Sequence, residues 1–394
     1  MHFPSQTAIN LLFIFSLLVV PRALQRFRIP APLTCFLFGI TASILFKTVV
    51  DNRVLSAVST LGIASLFLFA GLEVDMRETA RQLPRHFNHL GTRALVLWGV
   101  IWLSMHYLHF AWRPATLLAL ALLTPSTGFI LDTLHASGLD PSEESEVTIR
   151  AVAGEILALL IIFVVSQDSA KSLALSGAAL LLLIVLTPFF YIALAKHVLP
   201  FAHGSEFSLL IMVGVICAVI TRTIGVHVLL GAFIAGLVAG LLKNRIPTVA
   251  SAENLRAVRL FSSFFIPFYF FHEGLDVPAG ALVPKALLYG LTLSLVVLPL
   301  RIAKNCVVCR YFCRRTPRGG LRVAIALTPT LIFALVIADI LHESFHISDA
   351  LYGGLLVYAA VSTILPSFVL PGLAERTMNA MVVEADAAEE VPLM

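Results

Sequence analysis

Leu123-Thr124-Pro125-Ser126 breaks one hydrophobic run, and Leu327-Thr328-Pro329-Thr330 breaks another about 200 residues later. Proline removes a backbone donor and prevents regular helix, so each run reads as two half-helices. A second phrase recurs at nearly the same offset: Gly71-Leu72-Glu73-Val74 returns as Gly274-Leu275-Asp276-Val277. The two halves therefore read as copies of one unit. Interrupted spans at matching places in two halves are the sequence mark of a secondary transporter, with the substrate site at the interruptions.

The composition agrees with a membrane setting. Of 394 residues, 59% are hydrophobic and 13% charged, with a mean hydropathy of +0.94; a soluble domain carries roughly 25% charged residues. Apolar stretches such as Val54 to Leu72 and Leu173 to Leu194 reach the roughly 20 residues that cross a bilayer. Hydropathy predicts an all-α polytopic membrane protein of about thirteen transmembrane helices, the first over 7–24 and the last over 349–370. The transmembrane domain covers 1–375, with repeat one at about 31–166 and repeat two at about 226–370. The remainder, 376–394, is short, acidic and alanine-rich, and reads as a disordered cytoplasmic tail.

The first span has no Lys or Arg before it, and Arg22, Arg26 and Arg28 after it. That order suits a retained span with its N-terminus outside rather than a cleaved signal peptide. Basic residues also cluster after later odd-numbered spans: Arg77, Arg81 and Arg85; Lys243, Arg245, Arg256 and Arg259; Arg310, Arg314, Arg315 and Arg318. The positive-inside rule then puts the C-terminus in the cytoplasm, in what is expected to be a bacterial inner membrane. The net charge of +4 reflects this asymmetry and gives no ground for a nucleic-acid partner, which needs a basic face on a soluble module. The partner implied is the lipid bilayer. Cys306, Cys309 and Cys313 lie at helical spacing, but three thiols without a nearby histidine make a poor tetrahedral set, so no resident metal is expected. The spans carry no His-Glu-x-x-His and no paired catalytic acids, so the reading is not an enzyme and no cofactor is expected.

A charge at the bilayer centre is expensive, so an intramembrane acid points to function. Glu155 stands in Val152-Ala153-Gly154-Glu155-Ile156-Leu157-Ala158. A structural role would pair it with a basic residue between helices. A functional role would have it bind a proton or a cation: burial disfavours the lone charge, and oxygen suits a hard alkali cation. Thr124, Ser126 and Thr127 at the first break, with Thr328 and Thr330 at the second, add hydroxyls. Unwound backbone at membrane depth must line a wet cavity or lie buried in protein. Two facing breaks would bring half-helix ends and free carbonyls around Glu155; taken singly, each reads as an ordinary proline kink.

At these residues the chain resembles the monovalent cation:proton antiporter superfamily, in its sodium/hydrogen exchanger branch (proton antiporter-2-like). Leu66-Phe67-Leu68-Phe69-Ala70-Gly71-Leu72-Glu73 is similar to that family's LLF-x-x-GLE span, and Thr124-Pro125-Ser126-Thr127 to its hydroxyl-rich broken helix. Gly231-Ala232-Phe233-Ile234-Ala235-Gly236 matches GAF-x-AG. Phe264-Phe265-Ile266-Pro267-Phe268-Tyr269-Phe270, then Gly274-Leu275, resembles FF-x-P-x-FF followed by GL. The resemblance implies an NhaA-like inverted repeat with two broken crossing helices, alternating access and a homodimer. It also implies Asp-Asp, Asn-Asp or Gln-Asp where this chain has Gly154-Glu155, and a Gly-Glu pair after the second break, where Leu331 and Ile332 stand. Arg301, after the apolar run Ala286 to Leu300, is the counterpart of the family's membrane lysine; it either pairs with Glu155 or balances the half-helix dipoles.

The expected function is exchange of a monovalent cation, Na⁺ or K⁺, for protons by competition at Glu155. The alternatives are a same-fold organic-anion symporter and a non-transporting or channel-like relative. The acids Glu73, Asp75, Glu273 and Asp276 fall at span ends and read as interfacial, and His227 and His272 as partners in helix-to-helix hydrogen bonds. Asp339, His342, Glu343 and His346 read as an outward loop.

Overall fold

The computed structural model describes residues 6–45, 52–74, 76–134, 137–202, 205–244, 251–312 and 315–370. The tail 376–394, Asp75 and Cys313 lie outside the described residues, as does the side chain of Asp132. The described residues form α-helices joined by short loops, with no strand. In chain order these are α1 (Gln6–Gln25), α2 (Ala31–Leu45), α3 (Asn52–Glu73), α4 (Met76–Tyr107) and α5 (Trp112–Leu123). Next come α6 (Thr127–Leu134), α7 (Pro141–Ser166), α8 (Ala170–His197), α9 (Glu206–Thr223) and α10 (Val228–Leu241). The last are α11 (Ala252–Leu275), α12 (Pro284–Tyr311), α13 (Pro317–Ala326), α14 (Leu331–Phe345) and α15 (Asp349–Val369).

Seven helices of the described residues are long and apolar enough to cross a membrane, or eight if α13 and α14 form one bent span. Three more apolar helices are shorter: Ile14–Gln25, Ala31–Ile44 and Val228–Leu241. Local chemistry sets several helix starts. Ser169, Ser251 and Thr316 accept hydrogen bonds from the main-chain N–H groups of Ser172, Asn254 and Gly319, satisfying donors that a helix start leaves over.

The chain divides into two compact units. The first takes the chain up to Leu18, Cys35–Phe87 and Ile156–Val277. Here α3 is the central element, packed by α9, α10 and α11. The repeated glycines serve one purpose in both copies. A Cβ on Gly71 would stand 2.4 Å from the Phe233 carbonyl oxygen on α10, and one on Gly274 would stand 2.2 Å from the Phe36 carbonyl oxygen on α2. Only glycine lets these backbones touch, as small residues do wherever membrane helices approach closely. The Gly-Ala-Phe phrase at 231–236 does the same against α9 and α3. His227 and His272 differ from expectation: each bonds within its own segment. His227 Nδ1 accepts from Leu229 N at 3.4 Å, and His272 Nδ1 lies 3.0 Å from Asp276 Oδ2. Both are polar groups at helix ends, where the chain's own orphan groups are the nearest partners.

The second unit takes Val19–Thr34, Asn88–Glu155 and the chain from Pro278. Here α12 packs along α15, and α14 packs against both α15 and α5. A buried apolar cluster of Ile130, Leu131, Val147, Ala151, Val323 and Ile325 joins α6, α7 and α13. Beside it runs a buried ionic seam. Glu146 on α7 pairs with Arg150 one turn on and with Arg315 ahead of α13. Arg150 also donates to Cys309 Sγ at 3.2 Å, and Arg315 donates to the Ser142 carbonyl at 2.7 Å. The Cys309 thiol is thus part of the seam. The seam lies on α7, the helix that carries Glu155.

Candidate functional site

The first break follows from Pro125. A residue before proline is pushed out of the helical region, and Thr124 accordingly takes φ −84° and ψ 122°, ending α5. The second break, Thr328-Pro329-Thr330, separates α13 from α14, whose axes differ by 46°. The two interruptions touch. Ser126 N donates to the Pro329 carbonyl at 2.9 Å. The Ser126 hydroxyl oxygen accepts from Ile332 N at 3.1 Å and from Phe333 N at 3.4 Å, satisfying two first-turn donors of α14. Neither break is therefore an isolated kink.

Glu155 lies at this junction. It is 1% exposed, and its Oε2 accepts from Thr127 N, the first residue of α6, at 3.0 Å. A carboxylate at a half-helix N-terminus meets the positive end of the helix dipole. The Thr127 side chain reaches the same carboxylate. Its Oγ1 is fully buried and has no hydrogen bond of ordinary geometry among the described residues.

Arg301 does the opposite task at the opposite pole. Its guanidinium donates to the Leu327 carbonyl at 2.8 Å and the Thr328 carbonyl at 2.9 Å, the C-terminal oxygens of α13. It also donates to Tyr358 Oη at 3.0 Å, and Tyr358 donates onward to the Leu122 carbonyl at 2.6 Å. Of the two roles open to Arg301, the geometry is that of dipole balance; it makes no ion pair with Glu155.

The hydroxyls divide. Glu155, Ser126 and Thr127 gather at the junction, and Thr124 Oγ1 receives Arg93 Nη2 at 3.4 Å. Thr328 Oγ1 donates to the Ile325 carbonyl at 2.8 Å and lies 3.2 Å from the Ser362 carbonyl; Thr330 Oγ1 lies 2.8 Å from Ser362 Oγ. Both hydroxyls therefore face α15. Leu331 and Ile332, where the resemblance implied Gly-Glu, are buried apolar residues, and the Ile332 N–H donates to Ser126.

Three residues of this network lie outside the motifs: Arg93, Tyr358 and Ser362. Arg93 stands near the start of an apolar run, as a snorkelling arginine would. Tyr358 and Ser362 are buried hydroxyls on α15, and a buried Tyr hydroxyl in an apolar run asks for a partner. Of the outlying groups, Asp339 accepts from Tyr352 Oη at 2.7 Å, and His342 Nε2 lies 2.9 Å from Asp349 Oδ1.

The family model "Sodium/hydrogen exchanger, transmembrane" matches residues 12–376. The chain belongs to the sodium/hydrogen exchanger family. Among curated proteins it is similar to the probable Na⁺/H⁺ antiporter 3 of Methanocaldococcus jannaschii, with 24% identity over 271 residues, 66% of this chain and 68% of that protein. Its fold is similar to that of the sodium proton antiporter MjNhaP1 from the same organism at pH 8, with a TM-score of 0.66, 13% identity and coverage of 95% of this chain and 99% of that one. A second structure of MjNhaP1, an electron-microscopy map, gives a TM-score of 0.59 at 16% identity, covering 99% and 100%. At such identities the likeness concerns the fold. With family and fold in agreement, the protein is an integral membrane protein of a transporter family.

Proposed function

We propose that this protein exchanges a monovalent cation, Na⁺ or K⁺, for protons across the membrane, by competition at Glu155. One observation carries the reading: a buried carboxylate is held where two broken helices meet, beside the fully buried Thr127 hydroxyl. A proton neutralises that carboxylate covalently. A cation neutralises it through several oxygens, and Thr127 Oγ1 and the unwound carbonyls of 124–127 are the nearest supply. Ser126 is part of the set through its hydroxyl, already fixed by two N–H donors. Thr124 adds a further hydroxyl at the same break, while Thr328 and Thr330 stand at the second break with their hydroxyls turned to α15. Because both ligands need the same ionised oxygen, only one can be bound at a time, and no separate coupling device is required.

The finer topology belongs to the same reading. Thirteen spans, an inverted repeat, an outside N-terminus and a homodimer are what the paired breaks, the basic loops and the family resemblance support together.

The test is Glu155→Gln in proteoliposomes, with Na⁺ and K⁺ pulses and an internal pH dye. The amide keeps the shape and loses the charge. Cation-dependent proton movement should fall to background while the protein still inserts. Wild-type rates in that variant would end the proposal.

A further inference from the structure

Arg93 is 5% exposed within α4, and the exchange reading above gives it no task. Its guanidinium lies directly over Gly154. A Cβ built on Gly154 would stand 1.9 Å from Arg93 Nη1 and 2.9 Å from its Cζ. The same guanidinium donates to the Gly154 carbonyl at 3.0 Å and to Thr124 Oγ1 at 3.4 Å. The space that a side chain next to Glu155 would fill is therefore held by a fixed positive charge. That guanidinium also engages two oxygens, one on the residue before Glu155 and one at the first break. Arg301 adds further positive charge to the neighbourhood.

We propose that Arg93 is a specificity-determining residue of the exchange site: a tethered guanidinium that takes the place of a second ligand residue and holds metal-cation affinity low relative to proton affinity. This deepens the antiport reading and rests on it. The asymmetry between the two ligands is chemical. A proton needs one carboxylate oxygen and no more. An alkali cation needs several oxygens at once, and Arg93 has engaged two of them. Like-charge repulsion acts on both ligands alike, whereas the loss of oxygens acts on the metal alone. Gly154 belongs to the same device, since a side chain there must displace the guanidinium from its place beside Thr124 and the Gly154 carbonyl.

The inference is tested by a double-mutant cycle on Arg93→Ala and Gly154→Asn, reading the Na⁺ concentration for half-maximal proton movement separately from the maximal rate, at three pH values. Gly154→Asn alone should suppress exchange, because the amide and the guanidinium compete for one volume. Adding Arg93→Ala should restore exchange, with half-saturating Na⁺ at least tenfold lower than wild type at fixed pH. A purely structural Arg93 would alter yield or maximal rate and leave half-saturation unmoved. Wild-type exchange by Gly154→Asn overturns the inference, as does an exchanging double variant with unchanged half-saturation. Should the double variant not exchange, Arg93→Gln decides: the neutral side chain should lower half-saturating Na⁺ at least threefold, and an unchanged value overturns the inference. The two proposals separate cleanly, because absence of exchange in the wild type sinks the antiport reading itself.

Discussion

At the scale of the residue, the site works by matching each half-helix pole with its complement. Glu155 sits on the N-terminus of α6 and Arg301 on the C-terminus of α13, so opposite side-chain charges meet opposite dipole ends. Ser126 is the joint between them. Its hydroxyl is the acceptor for Ile332 N and Phe333 N, and in a dry interior those donors have no water to turn to. Ser126→Ala should therefore cost about 1–3 kcal/mol, the penalty of a buried donor left unpaired. The measurement is the unfolding midpoint in detergent, which should drop while expression persists; an unmoved midpoint would show that the second break supports itself. Glu155, Ser126 and Thr127 were legible because each violates its surroundings: an acid, or a hydroxyl beside proline, in an apolar run. Arg93, Tyr358 and Ser362 were not, because each is an ordinary residue on its own helix and gains meaning only from the carbonyl or hydroxyl that folding brings to it. Thr328 and Thr330 mark the converse limit, since composition identified hydroxyls at the break but not the direction they face.

At the scale of the element, α7 must present Glu155 to α6 at one rotation, and the seam near its N-terminal end is placed to set that rotation. Glu146 lies between Arg150 and Arg315, and removing it takes that carboxylate away from the fully buried Arg150 side chain. Breaking a buried pair from one side costs about 3–5 kcal/mol, far more than the pair itself contributes. Glu146→Leu should thus lower the unfolding midpoint sharply and reduce exchange in proportion to surviving protein, while Arg315→Lys, which keeps a charge over a less buried site, should do much less. Equal, small effects from both would mean that apolar packing around Val147 and Ala151 alone fixes α7. The seam escaped the sequence because Glu146, Arg150 and Arg315 look like charges at the wet ends of spans. The breaks did not escape it, since proline acts through local covalent geometry: Thr124 is extended because Pro125 follows. The repeated glycines were visible as a pattern and acquired their reason only with the helices they allow to touch.

At the scale of the whole molecule, the proposal requires the bent pair α13–α14 to cross the membrane once, with its basic end inside. Arg318 and Glu343 are exposed residues near the two ends of that pair. Arg310, Arg314, Arg315 and Arg318 crowd the first end, while the second carries Asp339, His342 and Glu343. Juxtamembrane Lys and Arg set orientation, and acids contribute little. The first end should therefore face the cytoplasm and the second the outside. The check is thiol labelling in intact cells with a membrane-impermeant maleimide, in a background with Cys306 and Cys313 changed to Ala. Glu343→Cys should label at once, and Arg318→Cys only after permeabilisation. The reverse pattern would turn the molecule over, putting the Arg301 end of the site toward the opposite bulk phase. Equal labelling of both positions would mean that the pair enters and leaves on one side. In that case α13–α14 is a re-entrant loop, and Glu155 would meet only one genuine broken span rather than two.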